Sequence, residues 1–285
     1  MLNGEFVDIN QPLISIEDRG YQFGDGVYEV VPVMSGRLIG FDYHLERLDR
    51  SLREMQIPAV YTHEEMYDFH VQIMEKGNIY DGLIYFQFTR GVAPRQHNFP
   101  DKTVPVLTMV GRQKGYEKVE KQREEGTKVI SLPDIRWHRC DVKTINLLGN
   151  VLAKQKAYEA KVDDALQYRE NGDVTECASS NFMVVKDGVI WSHPDNNLIL
   201  PGCTKRIIFK DLCPNLNIPI VEKAFNLEFA KKADEAFSTS SSTCAMPIVK
   251  IDKDVIGDGK PGEVTRKLNE EFKKYIMAQK VILNK

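Results

Sequence analysis

In the N-terminal part of the chain the spacing of hydrophobic residues changes from the alternation typical of a strand to the spacing of three and four typical of a helix. Residues 27–41 alternate apolar and polar side chains around Ser35-Gly36, which predicts a β-hairpin. A run at spacings of three and four then predicts an amphipathic helix, whose apolar stripe is Leu45, Leu48, Leu52 and Met55.

A second helix and two further strands follow. Thr62 with Glu65 forms a capping box that predicts the start of the helix, and Gly77 predicts its end. Residues 83–90 and 104–111 have strand patterns. The connections are short enough for antiparallel pairing, so this half favours an α+β fold.

Residues 115–126 are polar and charged, and we place a domain boundary there, between domains 1–117 and 118–285. Beyond it the pattern predicts a strand, a helix, two hairpins and two further helices. In chain order they are a strand at 128–132, a helix from 145 to about 161, hairpins turning at 171–173 and 186–188, a helix from Cys203-Thr204, and a helix from 262 to about 279.

Composition excludes several classes of partner. The 285 residues are 42% hydrophobic and 28% charged, with a formal net charge of -3, so charge gives no case for nucleic acid or an anionic membrane. No secretory signal is visible, and no apolar run approaches the ~18 residues of a membrane span. The five cysteines form no C-x-x-C pair and the six histidines have no metal-ligand spacing. We therefore expect a cytoplasmic protein without a metal site.

Three segments are candidates for substrate chemistry. Lys143 precedes the predicted apolar helix, where a desolvated amine can act as a nucleophile, although an isolated lysine is more often only solvated. The glycines of residues 19–29 shape either a simple loop or a pocket wall that presents Tyr28. Arg95 and His97 end a proline-stiffened loop after a strand, which suits a carboxylate ligand or a plain surface pair.

Three further segments are candidates for an anion or cofactor site. Glu176 follows a hairpin strand and, taken alone, is an ordinary surface acid. Residues 201–204 begin a helix and residues 239–243 are rich in hydroxyl groups. Helix starts and clustered hydroxyls commonly bind phosphate, but each segment alone is a weak signal.

Together these segments resemble the fold type IV PLP-dependent enzymes, the class of the branched-chain aminotransferases, and within it the D-amino acid aminotransferases. The match extends from Asn3 to about Phe272. Its most specific parts are EDRGYQFGDGVYEVV at 17–31, RWHRCDVK at 136–143, VTE at 174–176 and SSN at 179–181. The resemblance implies a small N-terminal α/β domain and a larger cofactor-binding C-terminal domain with mixed or antiparallel sheets and helices.

The resemblance also implies roles for the residues that would bind pyridoxal 5'-phosphate (PLP). Lys143 matches the lysine that carries the cofactor as a Schiff base and moves the substrate proton, and Glu176 matches the acid that pairs with the pyridine nitrogen. Leu200 matches the apolar residue behind the ring. The matches to the phosphate ligands are Arg47, Cys203, Thr204, Ser240 and Ser241.

Substrate choice depends on a smaller set. Tyr28, Arg95 and His97 match the trap for the α-carboxylate of a D-amino acid, in which the Arg-x-His pair comes from the neighbouring subunit of a homodimer. The implied activity is ping-pong transamination between D-alanine or D-glutamate and pyruvate or 2-oxoglutarate. Other members of the class remain alternatives: branched-chain L-aminotransferases, (R)-amine transaminases and aminodeoxychorismate lyases. A non-catalytic relative acting as a binding module is a further alternative.

Overall fold

The computed structural model of the protein describes residues 1–284, and the chain divides into two compact units. The first contains Met1–Gly115, Val142–Leu147 and the described residues from Gln279 onward. The second contains Tyr116–Asp141 and Leu148–Ala278. The short segment that holds Lys143 and the C-terminal residues therefore group with the first unit, whereas the sequence placed them in domain 118–285.

A four-stranded antiparallel sheet forms the framework of the first unit, in the order β2-β1-β3-β4. Its strands are β1 (Gly26–Met34), β2 (Arg37–Leu38), β3 (Gly82–Thr89) and β4 (Val106–Gln113). The predicted turn is confirmed: Ser35 and Gly36 both have positive φ, 50° and 69°, as a tight hairpin turn requires.

Three helices belong to the first unit: α1 (Arg19–Phe23), α2 (Phe41–Glu54) and α3 (His63–Gly77). The predicted stripe is confirmed in α2, where Leu45, Leu48 and Leu52 are buried. The predicted capping box opens α3. Apolar side chains from α2 and α3 pack with those of β1, β3 and β4 in one core. The short helix α1 was not predicted, since its glycines favoured a loop.

A nine-stranded mixed sheet forms the framework of the second unit. Its strands are β5 (Thr127–Pro133), β6 (Asp164–Tyr168), β7 (Val174–Cys177), β8 (Asn181–Lys186), β9 (Val189–Ser192), β10 (Ile220–Glu222), β11 (Glu235–Ser240), β12 (Cys244–Ile251) and β13 (Asp254–Val255). The order is β10-β9-β8-β11-β12-β5-β6-β7, with β13 beside β12. β5 runs parallel to β6 and β12, and β9 runs parallel to β10. β7 also pairs with β8, so six strands form a closed ring of hydrogen-bonded neighbours: β8, β11, β12, β5, β6 and β7.

Helices flank this sheet within the second unit. They are α4 (Glu117–Glu125), α5 (Leu148–Glu159), α6 (Cys203–Ile207), α7 (Cys213–Leu216), α8 (Leu227–Lys231) and α9 (Glu263–Ala278), with a π-helical segment at Ile208–Leu212. The predicted starts of α6 and α9 hold to within one residue. The predicted start of α5 at residue 145 was wrong, because residues 142–147 form a non-helical segment that is bridged to β1 at Thr144. In residues 1–284 no helix combines the length and apolar character that a membrane span needs.

Candidate active site

Lys143 lies on a non-helical segment that is bridged to β1, and helix α5 begins only at Leu148. The backbone N–H of Tyr28 donates to the carbonyl of Lys143 over 3.0 Å, and the N–H of Ile145 donates to Gly26 over 3.0 Å. These strand-like bonds hold the lysine backbone in place. The side chain is half-buried, and its Nζ lies 4.2 Å from the centroid of the Tyr28 ring. The structure therefore brings together the predicted cofactor lysine and one predicted substrate residue.

Tyr85 extends this aromatic surface and was missed by the sequence reasoning. Its ring stacks on that of Tyr28 with centroids 5.6 Å apart, and its hydroxyl donates to Gln87 Oε1 over 2.6 Å. Burial, aided by the neighbouring Tyr28, raises the pKa of Tyr85 to about 12, so the phenol stays neutral. The alternating pattern of β3 could have indicated this position. Phe86 and Phe88 are buried on one face of the strand, so Tyr85 and Gln87 lie on the other face.

Arg95 and His97 lie in an exposed loop of the first unit. The Arg95 guanidinium carbon is 4.8 Å from the ring centroid of Phe23, and the His97 ring is 5.6 Å from the same centroid. Arg19 anchors the loop, since its Nη1 donates to the carbonyl of Gln96 over 2.6 Å. Among the described residues no hydrogen bond or ring contact joins this pair to Tyr28. The structure thus brings Arg95 and His97 together but does not place them on the tyrosine of the same chain.

Arg47 belongs to a buried charged cluster that the sequence did not predict. Its Nε and Nη2 each donate to a different oxygen of Glu29 over 2.8 Å, and His44 Nδ1 lies 2.7 Å from Glu29 Oε2. Burial alone would raise the pKa of Glu29, but the charge and hydrogen bonds of Arg47, with those of His44, hold it well below its ordinary value. Glu29 is therefore an anion in the folded protein.

The spacing of α2 could have indicated this cluster. His44, Arg47 and Ser51 are polar residues at helical spacings, and all three are buried. Ser51 Oγ accepts a hydrogen bond from the backbone N–H of Lys143 over 3.3 Å. A row of buried polar residues on one helix face thus links the predicted phosphate ligand to the predicted cofactor lysine within the first unit.

Glu176 lies in the second unit, where β7 meets β8 opposite Asn181. Its carboxylate accepts hydrogen bonds from Arg136 Nη1, from Asn181 Nδ2 over 2.8 Å and from the backbone N–H of Leu200 over 3.2 Å. Burial raises the pKa of Glu176 and the charge of Arg136 opposes this rise. Glu176 is thus a buried acid that is held by three donors. Leu200, predicted for its side chain, contributes its backbone here.

The remaining predicted ligands also lie in the second unit. Cys203 and Thr204 are buried at the first turn of α6, whose N-cap residue is Gly202. Ser240 Oγ lies 2.8 Å from the hydroxyl of Thr243, and Ser241 is half-buried beside it in the β11–β12 turn. Thr239 Oγ1, next to Ser240, is buried and has no hydrogen-bond partner within residues 1–284. An orphaned hydroxyl beside two serines fits an acceptor-rich group such as a phosphate.

Comparisons with known proteins agree with the predicted family. The model of the family "amino-transferase class IV" matches residues 26–251. A D-alanine aminotransferase of Staphylococcus haemolyticus is 46% identical over 96% of this chain and 96% of its own. A D-alanine aminotransferase of Listeria monocytogenes is 40% identical over 95% of this chain and 94% of its own.

The fold agrees as well. The crystal structure of Escherichia coli branched-chain amino acid aminotransferase superposes with a TM-score of 0.89 at 22% identity, covering 96% of this chain and 93% of that one. At that identity the likeness concerns the fold alone, and it confirms the predicted α+β fold of type IV. With near full-length relatives at these identities, the chain belongs to the class IV aminotransferase family.

Proposed function

We propose that the chain is a PLP-dependent aminotransferase that exchanges amino groups between D-amino acids, D-alanine and D-glutamate foremost, and 2-oxo acids. The observation that carries this proposal is the contact of the Lys143 amine with the Tyr28 ring, at 4.2 Å. The contact places an amine next to a phenol, and backbone hydrogen bonds between β1 and residues 143–145 hold the Lys143 backbone in position. The D-alanine aminotransferases that resemble this chain over nearly its full length support the choice of substrate.

The proposed roles follow from the chemistry of each residue. PLP, when bound, supplies an electron sink that allows the Cα–H bond of the amino acid to break. Lys143 Nζ would bind the cofactor through its amine and would then take up and return the Cα proton. Glu176 holds a proton at the ring nitrogen by its negative charge. Ser240, Ser241 and Thr204 would offer hydroxyl donors to the phosphate, and the backbone N–H groups at the start of α6 would offer further donors.

Arg47 and Leu200 have narrower proposed roles. Arg47 contributes positive charge to the phosphate while Glu29 fixes its guanidinium in one orientation. Leu200 packs its side chain behind the ring while its backbone N–H holds Glu176. Cys203 contributes its backbone at the helix start.

Substrate binding is proposed to depend on Tyr28, Arg95 and His97, with the last two acting in the neighbouring subunit. An arginine fork binds a carboxylate with two parallel hydrogen bonds. The first unit exposes large apolar side chains that support an association of two copies: Ile9 is 68% exposed, Ile16 80%, Tyr21 79% and Val104 77%. We therefore propose a homodimer. The cytoplasmic location predicted from the sequence stays a prediction, which cell fractionation with an activity assay tests.

The first experiment tests the cofactor. Purified protein supplied with PLP should be yellow, and borohydride should bleach the band and fix the label on Lys143, as peptide mapping would show. K143A should lose the reducible label, whereas K154A, at an exposed lysine, should keep it. A protein that PLP does not colour would refute the enzyme and favour a binding module.

The second experiment tests the substrate. With 2-oxoglutarate as acceptor, pyruvate should form from D-alanine and not from L-alanine. R95A and H97A should raise KM for D-alanine with little effect on the PLP label, and R112A, on the exposed end of β4, should change neither. Pyruvate from L-alanine alone would contradict the D-specific proposal and favour an L-aminotransferase.

The third experiment tests assembly. Analytical ultracentrifugation should give a dimer for the wild type, and Ile16→Asp should weaken it because a charge replaces exposed apolar surface. Val255→Asp, exposed in the second unit, serves as the matched control. A fully active monomer would contradict the proposal that Arg95 and His97 act across an interface.

A further inference from the structure

Arg136 is a buried cation directly beside Glu176. Neither the sequence pattern nor the resemblance to known families assigns a role to it. It is 9% exposed. Its Nη1 donates to Glu176 Oε1, while its Nε and Nη2 donate to the two oxygens of Asp134 over 2.9 and 2.7 Å. One guanidinium therefore bridges two buried carboxylates, which fixes its plane and its position against Glu176.

The donors around Glu176 leave room for one more partner. Arg136 donates to Oε1, Asn181 donates to Oε2, and the Leu200 N–H lies 3.3 and 3.2 Å from the two oxygens. A carboxylate offers about four lone-pair sites. The protein thus fills three directions and orients the carboxylate without exhausting its capacity to accept a hydrogen bond.

The charges of this network balance among themselves. Asp134 and Glu176 are the two acids, and Arg136 and Arg169 are the two cations, with Arg169 Nε 3.3 Å from Asp134 Oδ2. Arg169 has no described contact with Glu176. If Arg136 lost its charge, Glu176 would lie buried near a second carboxylate with no cation in contact. Burial and the charge of Asp134 both raise the pKa of Glu176, so it would take up a proton.

We propose that Arg136 is a positioning residue that keeps Glu176 ionised and oriented, so that Glu176 can hold a proton on the ring nitrogen of the cofactor. This proposal rests on the proposed function, since it needs PLP at Glu176. A protonated Glu176 would be a neutral acid and would lose most of its attraction for a cationic ring. In this proposal Arg136 acts through Glu176, to which its Nη1 donates a hydrogen bond.

The test is the protonation state of the ring nitrogen in holoenzyme reconstituted with ¹⁵N-labelled PLP, read from its ¹⁵N chemical shift. The wild type should show a protonated nitrogen, and E176Q an unprotonated one. The ¹⁵N shift of R136Q should move towards that of E176Q. Its kcat should fall roughly tenfold to a hundredfold, as it does at metal sites when a residue that holds a metal ligand in place is lost. KM for D-alanine should change little. R136K keeps the charge without the fork and should restore the protonated shift.

R169Q is the matched control, because Arg169 binds the same Asp134 but does not contact Glu176. It should keep the wild-type ¹⁵N shift even if it lowers the melting temperature. If R136Q fails to fold, R136M, which keeps the apolar length of the side chain, takes its place in the comparison.

The outcomes separate this proposal from the one it rests on. An R136Q enzyme with a protonated ring and a low kcat would overturn the positioning role, and so would an R169Q enzyme that shifts as far as R136Q. A wild type that binds no PLP would refute the proposed function itself, before any variant is compared.

Discussion

Glu29 is the anion that balances Arg47 in the first unit, and replacing it by glutamine tests that balance. Its side chain is fully buried, with 0% exposure. It accepts two hydrogen bonds from Arg47, and His44 Nδ1 lies 2.7 Å from one of its oxygens. Glutamine keeps the shape of the side chain but removes the charge and replaces one acceptor oxygen by a donor. E29Q therefore removes the carboxylate that forms an ion pair with the buried guanidinium of Arg47.

The expected loss is large for a single substitution. Breaking a buried ion pair by removing one partner costs about 3–5 kcal/mol, because the other charge stays buried and uncompensated. Glutamine retains one acceptor oxygen for Arg47, so we expect a value near the lower end, about 3 kcal/mol. In the double variant E29Q/R47M the uncompensated charge is gone, and the total loss should be smaller than the sum of the single losses.

The pH dependence follows from the lowered pKa of Glu29. A carboxyl whose folded-state pKa lies below its ordinary value of 4.5 stabilises the fold fully above that pH. The contribution is then lost as the pH falls through the folded pKa. The stability difference between wild type and E29Q should thus be constant near neutral pH and shrink below about pH 4.5.

Urea unfolding followed by circular dichroism, repeated from neutral pH to pH 4, measures both effects. Glu75→Gln is the control, since Glu75 is exposed on α3 of the same unit, and its effect should stay within about 0.5 kcal/mol. An E29Q loss as small as that of the control, or a loss that does not change with pH, would refute the account of a buried ion pair.

Three further predictions concern a histidine, a glycine and a helix cap. Burial lowers the pKa of His70 to about 4 from 6.5, so the wild type should lose about 3 kcal/mol as the pH falls between these values, at ~1.36 kcal/mol per unit, and H70F should not. Melting curves across pH check this, and an equal loss in H70F would contradict it. A Cβ on Gly202 would lie 1.9 Å from Asn181 Oδ1, so G202A should displace the amide that holds the predicted ring partner and weaken PLP binding in a titration. G188A, where a Cβ meets nothing within 4 Å, should cost only about 1 kcal/mol of backbone strain and leave PLP affinity unchanged; equal affinities for both variants would count against this. T62A should cost about 1 kcal/mol in urea unfolding through loss of the cap, and no loss would mean that the cap is unimportant.

Much of the local structure could be predicted from the sequence. The stripe of Leu45, Leu48 and Leu52, the hairpin turn at Ser35-Gly36 and the capping box at Thr62 all appear where the pattern places them. Each depends on the side-chain period or on a turn conformation within a few residues. The specific strings shared with a known class predicted the family, which the comparisons confirm.

The surroundings of the candidate site residues were decided by the tertiary structure. Residues 145–147 were predicted to begin a helix, but β1 forms backbone hydrogen bonds with Lys143 and Ile145, and Lys143 lies beside Tyr28. The pairing of Glu29 with Arg47 and of Arg136 with Glu176 joins charges far apart in the chain. A sequence names the charged residues, but only the folded chain decides which are buried together, because removal from water is what forces opposite charges to pair.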